Sequence, residues 1–273
     1  MAFEYPGDGA LDYFPCRYGK SKLLFRGPRR RLDVPFVSAI GGSETYGKFV
    51  ENPWPELVEE RIGMQVVNFG YLNAGVDVFL HEPQMSEILQ KSHVSVIQLM
   101  GAQNMSNRFY AVHPRRNDRF LRASNLMRAV FNDIDFTEFN FTRHMLTALH
   151  RRAPDRFEAL AQELQMAWVS RMNKLLDRIP GRKVLLSLHD YTDPSQGDSL
   201  GPEPLLVSPE MLDQIRSRAD VVVAIEPSMK ARRSGTEGMH FAAMEEPAAL
   251  TMPGPLVHEE IAEALAPVLA KMI

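Results

Sequence analysis

Cysteine is nearly absent: the chain of 273 residues contains one, Cys16. An internal disulfide is therefore excluded, and so is any zinc site built on paired cysteines. A reducing compartment suits such a chain. Long apolar runs are also missing. No stretch reaches the roughly 18 residues that read as a membrane span. Excess charge of either sign is lacking too, because the formal net charge is −3. No bulk field draws the chain to nucleic acid or to a membrane surface. The opening residues, MAFEYPGDGALDYF, hold no basic segment followed by an apolar run, so no export signal is expected and a cytoplasmic location is. Repeats, low-complexity linkers and the H-E-x-x-H spacing of a metal-binding helix are absent as well, so no cofactor or metal is expected.

What is present is an alternation of two periods. Residues 1–33 are rich in turn formers and carry Arg17, Lys20, Lys22, Arg26, Arg29, Arg30 and Arg31 without an acid between Arg17 and Arg31. They read as an irregular, packed arm whose basic charges pair with acids elsewhere on the surface. From residue 34, VPFVSAIGG, MQVVNFG, VSVIQLMG, RKVLLSLHD and ADVVVAIEP read as five strands. NPWPELVEERIG, with Asn52 before Pro53 and Gly63 at its end, reads as a helix with both ends marked, and LVHEEIAEALAPVLAKMI closes the chain as another. Strands that are apolar throughout, separated by helices, predict a mostly parallel five-stranded sheet covered on both faces, a three-layer α/β/α sandwich. Residues 105–180 break the rhythm. They are long, helix-prone and basic, with Arg115, Arg116, Arg119, Arg122 and Arg128, and are expected to form a helical insertion beside the sheet. The expected organisation is thus an arm over 1–33 and one α/β domain over 34–273.

IGGSETYGKF, residues 40–49, supports two chemistries. Gly42 to Lys48 spell G-x-x-x-x-G-K, which in a P-loop cradles phosphates. A P-loop needs Ser or Thr next, for magnesium, where this chain has Phe49. The same stretch also sets Ser43 in a tight turn straight after a strand, where a nucleophile would sit. IGGSETYGKFVENPWPELVEERIGMQVVNFGYLNAGVD, followed by VIQLMGAQN, resembles the SGNH/GDSL hydrolase superfamily over roughly residues 34–104. That family runs from a strand through Gly-Asp-Ser, a helix, a strand with Val-Val-Asn, a glycine loop and then Gly-x-x-Asn.

The resemblance implies a flavodoxin-like arrangement and a serine-dependent esterase or acyltransferase. Ser43 would be the nucleophile. The oxyanion would be met by the N–H of Ser43, the N–H of Gly75 (with Gly70 as alternative) and the carboxamide of Asn104. The family's Asp-x-x-His points to Glu237 and His240 here, with His258 a rival base and His189 with Asp190 a third candidate. Gly42 stands where the family has its aspartate. The substrate class implied is a small-molecule or carbohydrate ester, and the arginines of the insertion would suit an anionic acceptor. Two other functions remain open at this point: a non-catalytic SGNH-fold module that binds a glycan or assembles with protein partners, and the P-loop nucleotide binder.

Overall fold

The computed structural model describes residues 9–193 and 200–273. The strands are β1 (Val37–Gly41), β2 (Val66–Gly70), β3 (Val94–Gln98), β4 (Tyr110–Val112), β5 (Phe120–Ala123), β6 (Arg182–Leu188) and β7 (Val221–Ile225). The helices before the insertion are α1 (Ser43–Tyr46), α2 (Trp54–Ile62), α3 (Val76–Leu80) and α4 (Pro83–Leu89). After them come α5 (Asn125–Val130), α6 (Thr142–Arg152), α7 (Pro154–Arg178), α8 (Pro209–Arg216), α9 (Met229–Arg233), α10 (Glu246–Ala249) and α11 (Pro255–Leu269).

Five strands form one parallel sheet in the order β2-β1-β3-β6-β7. Val37 pairs with both Val66 and Val94, so β1, β2 and β3 end level with one another. Alternation along each strand splits the core in two. Ile40, Val67, Phe69, Ile97 and Leu185 face α3, α4, α7 and α8. Val37, Ala39, Val66, Val94, Val96, Val184 and Leu186 face α2 and α11. This is the expected three-layer α/β/α sandwich. With β2 and β3 on opposite sides of β1, the chain order reverses there. A crevice opens at the carboxyl edge of such a sheet, which is where ligands of open α/β sheets bind.

In two regions the structure adds to the sequence expectation. The arm belongs to the core: Tyr18, Leu23 and Phe25 are buried, and Phe25 packs edge-on against Phe69 of β2 at 5.3 Å. Its Arg26 is buried, donates to the carbonyls of Gly47 at 2.9 Å and Glu51 at 2.5 Å, and pairs with Glu56 at 3.3 Å. The second is the insertion. It contains an antiparallel pair, β4 with β5, that helix-prone composition hides. Its long helix α7 lies on the crossover between β3 and β6 and packs on α3, α6 and α8.

Candidate functional site

β1 ends in two glycines for steric reasons. A Cβ on Gly41 would lie 2.1 Å from the Thr45 hydroxyl and 2.3 Å from the Gln98 carboxamide oxygen. One on Gly42 would lie 2.5 Å from a Glu44 carboxylate oxygen. Gln98, at the end of β3, ties the turn together. Its Oε1 accepts from the Gly42 N–H (3.1 Å) and the Thr45 hydroxyl (2.6 Å), while its Nε2 donates to Glu44 Oε2 (3.1 Å). The Tyr191 hydroxyl donates to the other Glu44 oxygen at 2.9 Å. A carboxylate therefore braces this turn, but it comes from Glu44, folded back over the place where the resembling family carries an aspartate.

The turn presents Ser43, 4% exposed, to the carboxyl edge of the sheet. Its Oγ accepts from the Asn73 N–H at 2.9 Å and donates to Asn73 Oδ1 at 3.2 Å. The Asn73 Nδ2 donates to Asp118 Oδ2 at 3.2 Å. Asn104 completes the group: its Nδ2 donates to the Asn73 carbonyl (3.3 Å) and its Oδ1 accepts from the Thr142 hydroxyl (2.7 Å). Ser43 and Asn104, expected together from sequence, thus line one cleft of about 680 Å³.

Gly75 does not face the serine. Its N–H donates to Asn117 Oδ1 at 3.2 Å, and a Cβ there would lie 1.8 Å from the Asn104 carbonyl oxygen, so the residue is glycine for close backbone approach. The Gly70 N–H is likewise taken, by Asn68 Oδ1 at 2.9 Å. The backbone donor aimed at Ser43 is that of Asn73, whose φ of 54° lies in the left-handed region. Asparagine is one of the few side chains that visits this region readily, and this is the signal a search for glycines passes over.

None of the eight histidines of the chain lines this cleft. His258 is fully buried between α11 and α2, where its Nδ1 accepts the Trp54 N–H at 3.1 Å. Burial pushes its pKa down to about 3. His240 is exposed, and its N–H donates to the Phe49 carbonyl at 2.8 Å. Glu237 is exposed as well. His189 shares a 2.7 Å hydrogen bond with the Ser187 hydroxyl. The segment before α11 reaches the cleft through Leu250, Thr251 and Met252, none of which is a base. Lys48 also lies elsewhere, 3.6 Å from Glu245 and 4.3 Å over the Phe49 ring. Among the described residues, no three His, Cys, Asp or Glu side chains gather as a metal-holding group.

Burial tunes several groups of the cleft. It raises the Asp118 carboxyl, with Arg119, Asn73 and Arg116 pulling the other way. It raises Glu203, which Arg143 pulls down and Glu44 pushes up. It pushes the Tyr191 phenol well up, and the Glu44 charge adds to that.

Fold and site together define a parallel α/β protein with a serine–asparagine cleft at the switch point of its sheet. The chain belongs to the family described as Domain of unknown function (DUF6473), whose model matches residues 1–273. No curated protein matches the chain. Among solved structures it is similar to a lipase, Lip_vut3, from a goat rumen metagenome, at 15% identity and a TM-score of 0.44, covering 87% of this chain and 97% of that one. It is also similar to a putative GDSL-like lipase from Bacteroides ovatus, at 10% identity and a TM-score of 0.40, covering 88% and 53%. A third is the salicylyl-acyltransferase SsfX3 from a tetracycline biosynthetic pathway, at 11% identity and a TM-score of 0.34, covering 91% and 57%. The chain spans about half the length of the latter two.

Proposed function

We propose that this chain holds a small hydroxyl-rich ligand, of carbohydrate type, in the Ser43 cleft without cleaving it. One observation carries the reading: no histidine lines the cleft, and the Ser43 hydroxyl donates its hydrogen to the carboxamide oxygen of Asn73. A serine hydroxyl attacks a carbonyl only when a base takes its proton. A carboxamide oxygen accepts a hydrogen bond but is far too weak a base to remove that proton. Ser43, Asn73, Asn104 and Thr142 then serve as hydrogen-bonding groups, and the half-exposed Phe141 ring lines the same space.

A second reading, a serine esterase or acyltransferase, is favoured by one feature. The Asn73 N–H donates to Ser43 Oγ and the Asn104 carboxamide lines the same cleft, bonded to the Asn73 carbonyl, and an acyl oxyanion needs donors of this kind. Turnover of p-nitrophenyl acetate and of acetylated sugars separates the two. Binding without cleavage predicts wild-type rates at the blank, unchanged in Ser43→Ala and Asn104→Ala. Wild-type turnover that vanishes in Ser43→Ala and drops about a hundredfold or more in Asn104→Ala would establish the esterase instead.

A further inference from the structure

We infer that Asp118, acting through Asn73, sets the polarity of the serine wall, so that Ser43 accepts a hydrogen bond from the ligand and does not donate one. The inference rests on the ligand-binding reading above and adds the group that the ligand turns toward Ser43, an O–H or an N–H. Three hydrogen bonds fix this direction. An ionised carboxylate carries no hydrogen and can only accept. The Asn73 carboxamide therefore turns its NH2 to Asp118, and Nδ2 donates to Oδ2 at 3.2 Å. That leaves Asn73 Oδ1 facing Ser43, where it takes the hydroxyl hydrogen at 3.2 Å. The Asn73 backbone N–H donates to Ser43 Oγ at 2.9 Å and fills one of its two acceptor positions. Among the described residues nothing else bonds this oxygen, so one acceptor position is left, and Ser43 lines the cleft. A ligand hydroxyl fits that position. A carbonyl or ether oxygen would set lone pair against lone pair.

The same bonds make the constraint depend on one proton. A neutral Asp118 carries a hydrogen of its own and can donate it to Asn73 Oδ1. The carboxamide is then free to turn over, Nδ2 donates to Ser43 Oγ, and the serine hydrogen is released to a ligand oxygen. Asn73 is exposed, so its carboxamide has room to turn. The groups facing Asp118 come from three segments. Arg119 and Arg116 of its own loop favour the carboxylate, while burial, the larger effect, favours the neutral form. Arg119 is itself held 4.8 Å over the ring of Phe141, which lines the cleft. Tyr71, directly after β2, stays uncharged because burial raises its phenol. From α6 the Thr142 N–H donates to the Asp118 carbonyl at 2.9 Å, and Arg143 bonds Glu203. Asp118 acts on the ligand through Asn73 and Ser43 and is a positioning residue.

The test uses the full chain and two small probes of one carbon skeleton: propan-2-ol, which can donate a hydrogen, and acetone, which can only accept one. Binding is followed through the backbone and methylene NMR signals of Ser43. At about pH 7, where the carboxylate is ionised, propan-2-ol is expected to bind about fivefold more tightly than acetone, the worth of one hydrogen bond. On acidification through the Asp118 titration, read from its carboxyl signal, the preference should fall to about twofold or less. In Asp118→Asn it should be that low at every pH, with the melting temperature checking the fold. A side chain that only supported its loop would leave the ratio of the two probes unchanged. Without any probe, the Asn73 carboxamide hydrogens should show stronger nuclear Overhauser contacts to the Asp118 methylene than to the Ser43 methylene at neutral pH. Equal affinities at neutral pH, a preference that survives in Asp118→Asn, or the reverse order of contacts would overturn the inference. Ser43 signals that answer neither probe would overturn the inference and the ligand-binding reading together. Ser43-dependent turnover of p-nitrophenyl acetate would overturn the non-cleaving reading alone, leaving the order of the probes as a statement about the Ser43 site.

Discussion

Gly42 shows how a single position can be misread from a pattern. Beside the Gly-Asp-Ser it resembles, Gly-Gly-Ser looks like the loss of a carboxylate. The carboxylate is present two residues later, because Glu44 turns back and fills the space a side chain at position 42 would need. Spacing in a sequence cannot show a side chain that folds backwards. The same holds for Asn73: its N–H faces Ser43 through a left-handed backbone that composition does not announce. Restoring the aspartate should therefore harm the protein. Gly42→Asp sets a second carboxylate against Glu44 Oε2, and a cost of about 1–2 kcal/mol is expected from the clash and the like charge. In Gly42→Asp with Glu44→Ala the space is free, so the two substitutions together should cost less than their sum. Urea denaturation of the four proteins measures this. Strict additivity would show that Glu44 does not occupy the position.

At the scale of elements, α2 and α11 were legible because their ends are marked: Pro53 and Gly63 bound one, and Gly254 with Pro255 opens the other. What joins them was not. His258 reads as a candidate base at the start of a helix, yet it is fully buried and bonded to the first N–H of α2. Its neutral form is what the fold keeps, and this has a defined pH signature. The unfolded residue takes up a proton as pH falls through about 6.5, whereas the folded one resists until about 3. The contribution is thus complete above pH 6.5 and is lost on acidification through that window, at about 1.4 kcal/mol per pH unit. Glu203, raised by burial, acts in the opposite sense near the ordinary carboxyl range, so the comparison must be between variants. His258→Asn keeps an acceptor for the Trp54 N–H and removes the titrating group. It should cost about 1–3 kcal/mol at neutral pH, as a shortened core side chain does. Between pH 7 and 4 that deficit should shrink and reverse in denaturant titrations. A deficit that stays constant with pH would mean that His258 titrates alike in both states.

For the molecule as a whole, the parallel sheet was legible because each strand is an apolar run closed by a turn, and the order of layers follows from the helices between them. The arm was not, because its hydrophobic residues are spaced irregularly and reach the core from loops. Within the insertion, the short β4–β5 pair was hidden among helix formers, while the long helix α7 was not. The result is a chain in which arm, sheet and insertion share one apolar cluster, from Tyr18 and Phe25 to Trp168, while the other face holds Trp54. One sheet separates the two clusters, and each strand contributes to both, so loosening one face should loosen the other. The two tryptophans report the two faces separately. Trp168→Phe leaves Trp54 as the probe, and Trp54→Phe leaves Trp168. The substitutions should differ in cost. The Trp168 indole N–H donates to the Met100 carbonyl at 2.7 Å, so its loss orphans a buried acceptor at about 1–3 kcal/mol beyond the lost volume. The Trp54 indole N–H has no partner among the described residues, so its replacement forfeits packing alone. Within each variant, fluorescence and far-UV circular dichroism should trace the same urea transition, as one cooperative unit requires. Should the Trp168 signal change at lower urea than the circular dichroism, the face carrying arm and insertion would unfold on its own, and the two faces would be separate folding units.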